Sequence, residues 1–111
     1  MAVTRLLAQL TIVDFEPAIR WYAKLFGRDA DARPMDGLAE WHLAPTFGVQ
    51  VWADPERAGR STVVVDESDL DGLADRLTRA GIDHPGVRHV TASRVLIVTD
   101  PDGNSIVFSG A

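Results

Sequence analysis

The sequence predicts an α+β chain made of two tandem βαβββ modules. Three observations carry that prediction. Each half reads as a strand, a helix and then three short strands. The helices end at Gly27 and Gly81, which stand 54 residues apart. Ile19 and Leu73 keep the same offset, and so do Ala23 and Leu77. An internal duplication is the simplest account. At 111 residues the chain reads as one domain over 1–111, with module one at about 3–56 and module two at about 59–110.

The first strand runs from Leu6 to Val13. Leu6, Leu10 and Ile12 share one parity; Leu7, Gln9 and Thr11 share the other. That period of two gives one buried and one mixed face. Asp14 is placed as an N-cap, with Glu16 and Pro17 in the first helical turn. Ile19, Tyr22, Ala23 and Phe26 form the apolar stripe of that helix. Strands follow at 29–33, 38–43 and 49–53, and a polar connector at 54–59. The second module starts with a strand at 62–65. Ser68-Asp69-Leu70-Asp71 fits a capping box. Leu70, Leu73, Ala74, Leu77 and Ala80 form the second helical stripe. The last strands are placed at 87–90, 94–99 and 105–109. The turn Asp100-Pro101-Asp102-Gly103-Asn104 joins the final pair, and turn chemistry accounts for its carboxylates.

Composition excludes several functions. A net charge of −5 argues against nucleic acid or an anionic membrane surface as the main partner. The absence of cysteine removes disulfides, thiol nucleophiles and cysteine metal sites. The N-terminus lacks the shape of a signal peptide, and no apolar run approaches the ~20 residues needed to span a bilayer. A cytoplasmic location is therefore expected. Glycines are scattered one per turn, so no phosphate loop is present. No nucleophile stands with a base, so the reading leans away from an enzyme.

Thr11-Ile12-Val13-Asp14, the run from Trp21 to Gly27, and Asp100-Pro101-Asp102-Gly103-Asn104 before Ile106 and Phe108 carry a resemblance. Their order and spacing resemble the vicinal oxygen chelate superfamily, which holds glyoxalase I, bleomycin-resistance proteins and extradiol dioxygenases. The resemblance covers nearly the whole chain. It implies modules that curl into half-cups, a curved sheet around a cleft, and homodimers with the cleft partly built at the interface. It also implies where a divalent metal would sit in the enzymes of the family. The first-strand ligand position, seven residues before Asp14, is Leu7 here. The last-strand position, four residues after Gly103, is Val107. The second-module histidine position falls at Thr62 or Ser61. Only the position near Gln50 holds a side chain able to coordinate. Leu and Val offer no lone pair, and a divalent ion needs several converging oxygen or imidazole ligands. No metal and no cofactor are therefore expected.

The expected ligand-binding residues are Leu7, Gln9, Thr11, His42, Gln50, Trp52, Arg94, Ser105 and Val107. Leu7 and Val107 would floor an apolar cleft. Gln9, Thr11, Ser105 and Ser109 would offer uncharged hydrogen bonds. Trp52 shares parity with Gln50 and offers a flat stacking surface, or else packs in the core or a dimer interface. Glu40 and His42 share a face, with His42 either solvent-facing or hydrogen-bonded, or else active in proton transfer. Arg94 would pair with a ligand carboxylate or phosphate, or stand exposed at a strand end. Trp41, and one of Trp21 and Tyr22, belong to the core. His84 and His89 read as surface residues.

The sequence thus points to a metal-independent small-molecule (drug or antibiotic) binding protein of the bleomycin-resistance type, acting as a homodimer. The alternative is a divalent-metal-dependent lyase, isomerase or dioxygenase with an atypical ligand set of Gln50, His42 and Glu40. A third reading is a partner-binding domain with a vestigial cleft.

Overall fold

A computed structural model describes residues 1–110. Module one comprises β1 (Leu6–Ile12), α1 (Phe15–Phe26), β2 (Ala32–Met35), β3 (Leu38–Ala44) and β4 (Phe47–Ala53). Module two comprises β5 (Thr62–Glu67), α2 (Leu70–Arg79), β6 (Arg88–Val90), β7 (Ser93–Thr99) and β8 (Ser105–Gly110). The strand order is β1-β4-β3-β2 in one sheet and β5-β8-β7-β6 in the other. In each, the first and last strands pair in parallel and the rest antiparallel. The two βαβββ modules therefore share one topology, and their strands form two separate four-stranded sheets.

Alternation along the strands sorts the faces. Leu10 and Ile12 of β1, Ala39 and Trp41 of β3, and Val49 and Val51 of β4 are buried with Ile19, Tyr22 and Leu25 of α1. Leu96, Val98, Ile106 and Phe108 pack with Leu70, Leu73 and Leu77 of α2. These residues make one continuous core, so the modules share a hydrophobic interior on their helix-bearing sides. Trp41 is fully buried, donates from Nε1 to the Arg28 carbonyl at 3.0 Å, and meets Phe26 at 5.5 Å between ring centroids. Its burial agrees with the core assignment.

Polar bonds join the modules where β1 ends. Asn104 donates from Nδ2 to the Thr11 carbonyl (2.7 Å), and the Val13 amide donates to Asp102 Oδ2 (3.2 Å). At the other end, Arg76 of α2 donates to the carbonyls of Lys24 (3.0 Å) and Leu25 (2.6 Å). Those carbonyls lie in the last turn of α1, where acceptors lack intrahelical partners and a cation is favourable.

Several local expectations change. Residues 29–31 are not strand: β2 starts at Ala32 and runs through Pro34 to Met35. The Asp31 amide donates to the Glu40 carbonyl (2.8 Å), and its carboxylate accepts from the His42 amide (2.6 Å) and from Arg28 (2.8 Å), so one backbone bond and one side chain tie this stretch to β3. Pro34 is tolerated because β2 is an edge strand. Asp14 precedes α1 but makes no side-chain cap. Asp69 does cap α2, accepting from the Gly72 amide at 3.0 Å. Asp71, the expected far end of a capping box, bonds Arg94 instead. Gly27 closes α1 with φ 75°, a left-handed conformation open to glycine at little cost. Among the described residues no helix is long and apolar enough to cross a membrane.

Candidate functional site

The helices leave one face of each sheet uncovered, and most of the expected binding residues stand there. On the first sheet, register sets Gln9 beside Gln50 and Gln50 beside Glu40, in one row across β1, β4 and β3. The row is joined by side chains. Gln9 donates from Nε2 to Gln50 Oε1 (3.1 Å), and Gln50 donates from Nε2 to Glu40 Oε2 (2.7 Å). His42 Nε2 lies 2.9 Å from Glu40 Oε1. Glu40, at the centre, is only 5% exposed. Hydrogen bonds from His42 and Gln50 hold the Glu40 carboxyl below the usual carboxylate range, against the opposing effect of burial. The side chain of His42 is 36% exposed.

Trp52 is half-buried in the next row, beside Leu38 and Thr11. Gly48 occupies the row on the other side, opposite Leu7. A Cβ at Gly48 would collide with the Trp41 carbonyl and would sit 3.0 Å from Leu7 Cδ2 and 3.2 Å from His42 Cα. The missing side chain leaves room for the Trp41 carbonyl and the β3 backbone at His42.

On the second sheet, Val107 stands between Val64 and Ile97 in an aliphatic row. Val64 is 67% exposed. Ser105 lies between Thr62 and Thr99, and Ser109 between Asp66 and Val95. The expected residues thus divide into a polar and aromatic group on one sheet and an aliphatic group flanked by hydroxyls on the other.

Two residues depart from expectation. Thr11 is buried under the 54–59 connector, and its hydroxyl donates to the Arg57 carbonyl at 2.9 Å. Arg94 shares parity with the core residues Leu96 and Val98, so it projects from the helix-bearing face. There it donates to both Asp71 carboxylate oxygens, at 2.7 and 3.2 Å. That bidentate pair lowers the Asp71 carboxyl below its usual range, chiefly through the hydrogen bond. Arg94 is corrected from a ligand partner to an anchor of α2 against β7. His84 bonds the Thr78 hydroxyl (2.9 Å) and the Ala74 carbonyl (3.1 Å), a structural role at the end of α2.

Sequence reasoning missed two things. Glu40, the centre of the polar row, was absent from the expected binding set, although its shared parity with His42 was visible. Asp100 and Asn104 read only as turn residues, yet both are buried and link the modules.

The metal positions implied by the resemblance do not fit a metal here. Leu7 and Val107 carry no donor atom. Both amide atoms of Gln50 are engaged by neighbours. Among the described residues no three His, Cys, Asp or Glu side chains converge as a metal site. Grooves open elsewhere, where the modules meet. One of about 530 Å3 lies between Phe26, Leu43 and Arg76. Another, of about 400 Å3, runs between Leu6 and Ala8 of β1 and Val63–Asp66 of β5.

Known proteins place this architecture. The model of the Glyoxalase/Bleomycin resistance protein/Dioxygenase superfamily matches residues 5–108. The fold is similar to a glyoxalase/bleomycin resistance protein from Catenulispora acidiphila, with 26% identity, TM-score 0.89, 96% of this chain and 97% of that one covered. It is also similar to TnmS3, an antibiotic binding protein from Streptomyces sp. CB03234, with 23% identity, TM-score 0.81, and 99% and 98% covered. A lactoylglutathione lyase from Agrobacterium tumefaciens aligns at 15% identity, TM-score 0.79, with 96% and 92% covered. No curated protein sequence matches the chain. With the doubled βαβββ topology and a family match across both modules, the chain belongs to the glyoxalase/bleomycin resistance protein/dioxygenase superfamily.

Proposed function

We propose that this chain binds a small organic molecule without a metal, on the uncovered sheet faces, as a homodimer. The observation that carries the proposal is the pairing of lost donors with an intact polar row. By the resemblance, Leu7 and Val107 stand where the family's enzymes carry ligands, while Gln9, Gln50, Glu40 and His42 are bonded in sequence on the sheet that carries Leu7. Trp52 adds an aromatic surface on the same face, and Leu7, Val64, Ile97 and Val107 supply apolar area. Aromatic and aliphatic walls with a few fixed polar groups are what small-molecule sites require.

Homodimer formation is supported by the apolar side chains left in solvent. Leu6 is 71% exposed and Phe47 50% exposed, near the open face of β5 that carries Val64. Apolar surface of this kind marks contact sites. The similarity to an antibiotic-binding protein is one of fold, and it agrees with this reading.

Thermal-shift measurement with divalent metals in some wells and planar aromatic or cationic compounds in others tests the proposal. A ligand of the folded state at a hundredfold excess over Kd stabilises by about 2.7 kcal/mol. Stabilisation by an organic class alone is expected. Stabilisation by one metal would favour an enzyme built on Gln50, His42 and Glu40. Sedimentation should give the mass of two chains.

A further inference from the structure

The polar row has a fixed direction. A carboxylate only accepts hydrogen bonds, so whatever faces Glu40 must donate. The group of Gln50 at 2.7 Å is therefore its NH2, which turns its carbonyl toward Gln9. That carbonyl in turn takes the NH2 of Gln9 at 3.1 Å. The carbonyl of Gln9 is left at the outer end, on an exposed side chain, and makes no hydrogen bond among the described residues. Nε2 of His42, 2.9 Å from Glu40, must carry the proton. In the neutral ring Nδ1 is then a bare acceptor, and it too has no partner among the described residues. One buried charge thus orients three side chains, leaving a lone pair alone at Nδ1 of His42 and a free carbonyl beside one spare N–H at Gln9.

We propose that this row selects aromatic ligands bearing a hydrogen-bond donor, a phenol or an aryl amine, over isosteric ligands that can only accept. The inference rests on the small-molecule reading above and narrows it to a ligand class. A donor meets a free acceptor at either end. At the His42 end an ether or carbonyl oxygen meets only a lone pair and forfeits the hydrogen bonds it had in water. Trp52, on the same face one row away, provides the stacking surface that makes the scaffold aromatic.

Two experiments on the full chain test this. Nitrogen-15 NMR of the imidazole at pH 8, without ligand, reports which nitrogen of His42 is protonated. The expected result is a proton on Nε2 and none on Nδ1; a proton on Nδ1 overturns the proposal. Binding of 2-naphthol is then compared with 2-methoxynaphthalene, and 2-naphthylamine with its N,N-dimethyl derivative, by calorimetry. The donor member of each pair should bind about tenfold tighter or better. Equal binding within each pair overturns the donor preference and leaves the small-molecule reading standing. Binding of no aromatic compound, from these pairs or a wider panel, overturns both. Glu40→Gln replaces two acceptors by one acceptor and one donor with nearly the same shape, so it should reduce the discrimination to about twofold or less while the melting curve stays cooperative. Retained discrimination in Glu40→Gln overturns the assignment of direction to Glu40.

Discussion

The Tyr22 hydroxyl donates a 2.6 Å hydrogen bond to Asp100 Oδ2 across 78 positions of sequence, both groups being buried. Tyr22 lies on the first helix and Asp100 in the turn after the seventh strand, so the bond ties one module to the other. Burial, then the bond to Asp100, raise the phenol far above its ordinary pKa and keep it neutral. Tyr22→Phe keeps the ring packing against Trp21 and Phe26 but leaves a buried carboxylate oxygen with one donor fewer. Loss of a hydrogen bond to a charged group costs about 1.5–3 kcal/mol. Urea unfolding should show that decrease with an unchanged slope.

The same shift makes an alkaline prediction. A group whose pKa is raised on folding stabilises fully below its unfolded value, here 10.0, and loses that contribution as pH rises beyond it. Stability should therefore fall above about pH 10, and Tyr22→Phe should flatten that limb. The chain has one tyrosine, so tyrosinate absorbance reports this group alone. Appearance of tyrosinate in the folded protein near pH 10 would contradict the burial argument.

Asn104 is fully buried and three-way bonded. It donates to the Thr11 carbonyl and to Asp100 Oδ2, both at 2.7 Å, and accepts from the Ser61 amide at 2.9 Å. Asn104→Ala leaves several buried groups unpaired and should cost about 2–4 kcal/mol. Asn104→Asp should be worse at neutral pH, because it sets a second buried carboxylate against Asp100 and offers no donor to Thr11. Comparing the melting temperatures of the two variants checks the order.

The repeat was legible because glycine-terminated helices and alternating strands leave marks at fixed spacing. The polar face of β4 was legible for the same reason: Val49 and Val51 flank Gln50, so one face had to be apolar. Arg94 was not, because Val95, Leu96, Ile97 and Val98 are all apolar and no alternation says which parity meets the helix. Only the tertiary position of Asp71 decides it. The second role of Asp100 and Asn104 was hidden behind a complete local explanation, since a turn already accounts for both residues. Asp14 shows the reverse: a strong capping residue whose side chain makes no cap.

Glu40 predicts an acid limb. Its carboxyl is held below the usual 4.5 by His42 and Gln50. A lowered folded pKa means stability that is present above the unfolded value and lost as pH falls through the folded one. Part of the loss of stability below about pH 4.5 should therefore belong to Glu40. Glu40→Gln should shrink that part and leave the protein near neutral pH less stable than wild type. An acid limb identical in the variant would show that the polar row contributes nothing to folding.

Arg94 supplies the test of its own reassignment. Its guanidinium reaches Asp71 near the start of the second helix, on the opposite side of the sheet from Val95, Ile97 and Val107. Arg94→Ala should leave the affinity for any aromatic ligand within about twofold of wild type, since no change of even ~0.4 kcal/mol reaches the uncovered face. It should also return the Asp71 carboxyl toward its ordinary range, visible as a shifted titration by NMR. Glu40→Gln and Trp52→Ala, measured beside it, should both weaken binding. If Arg94→Ala weakened binding as much as they do, the ligand would have to approach the helix-bearing side, and the uncovered faces would not be the site.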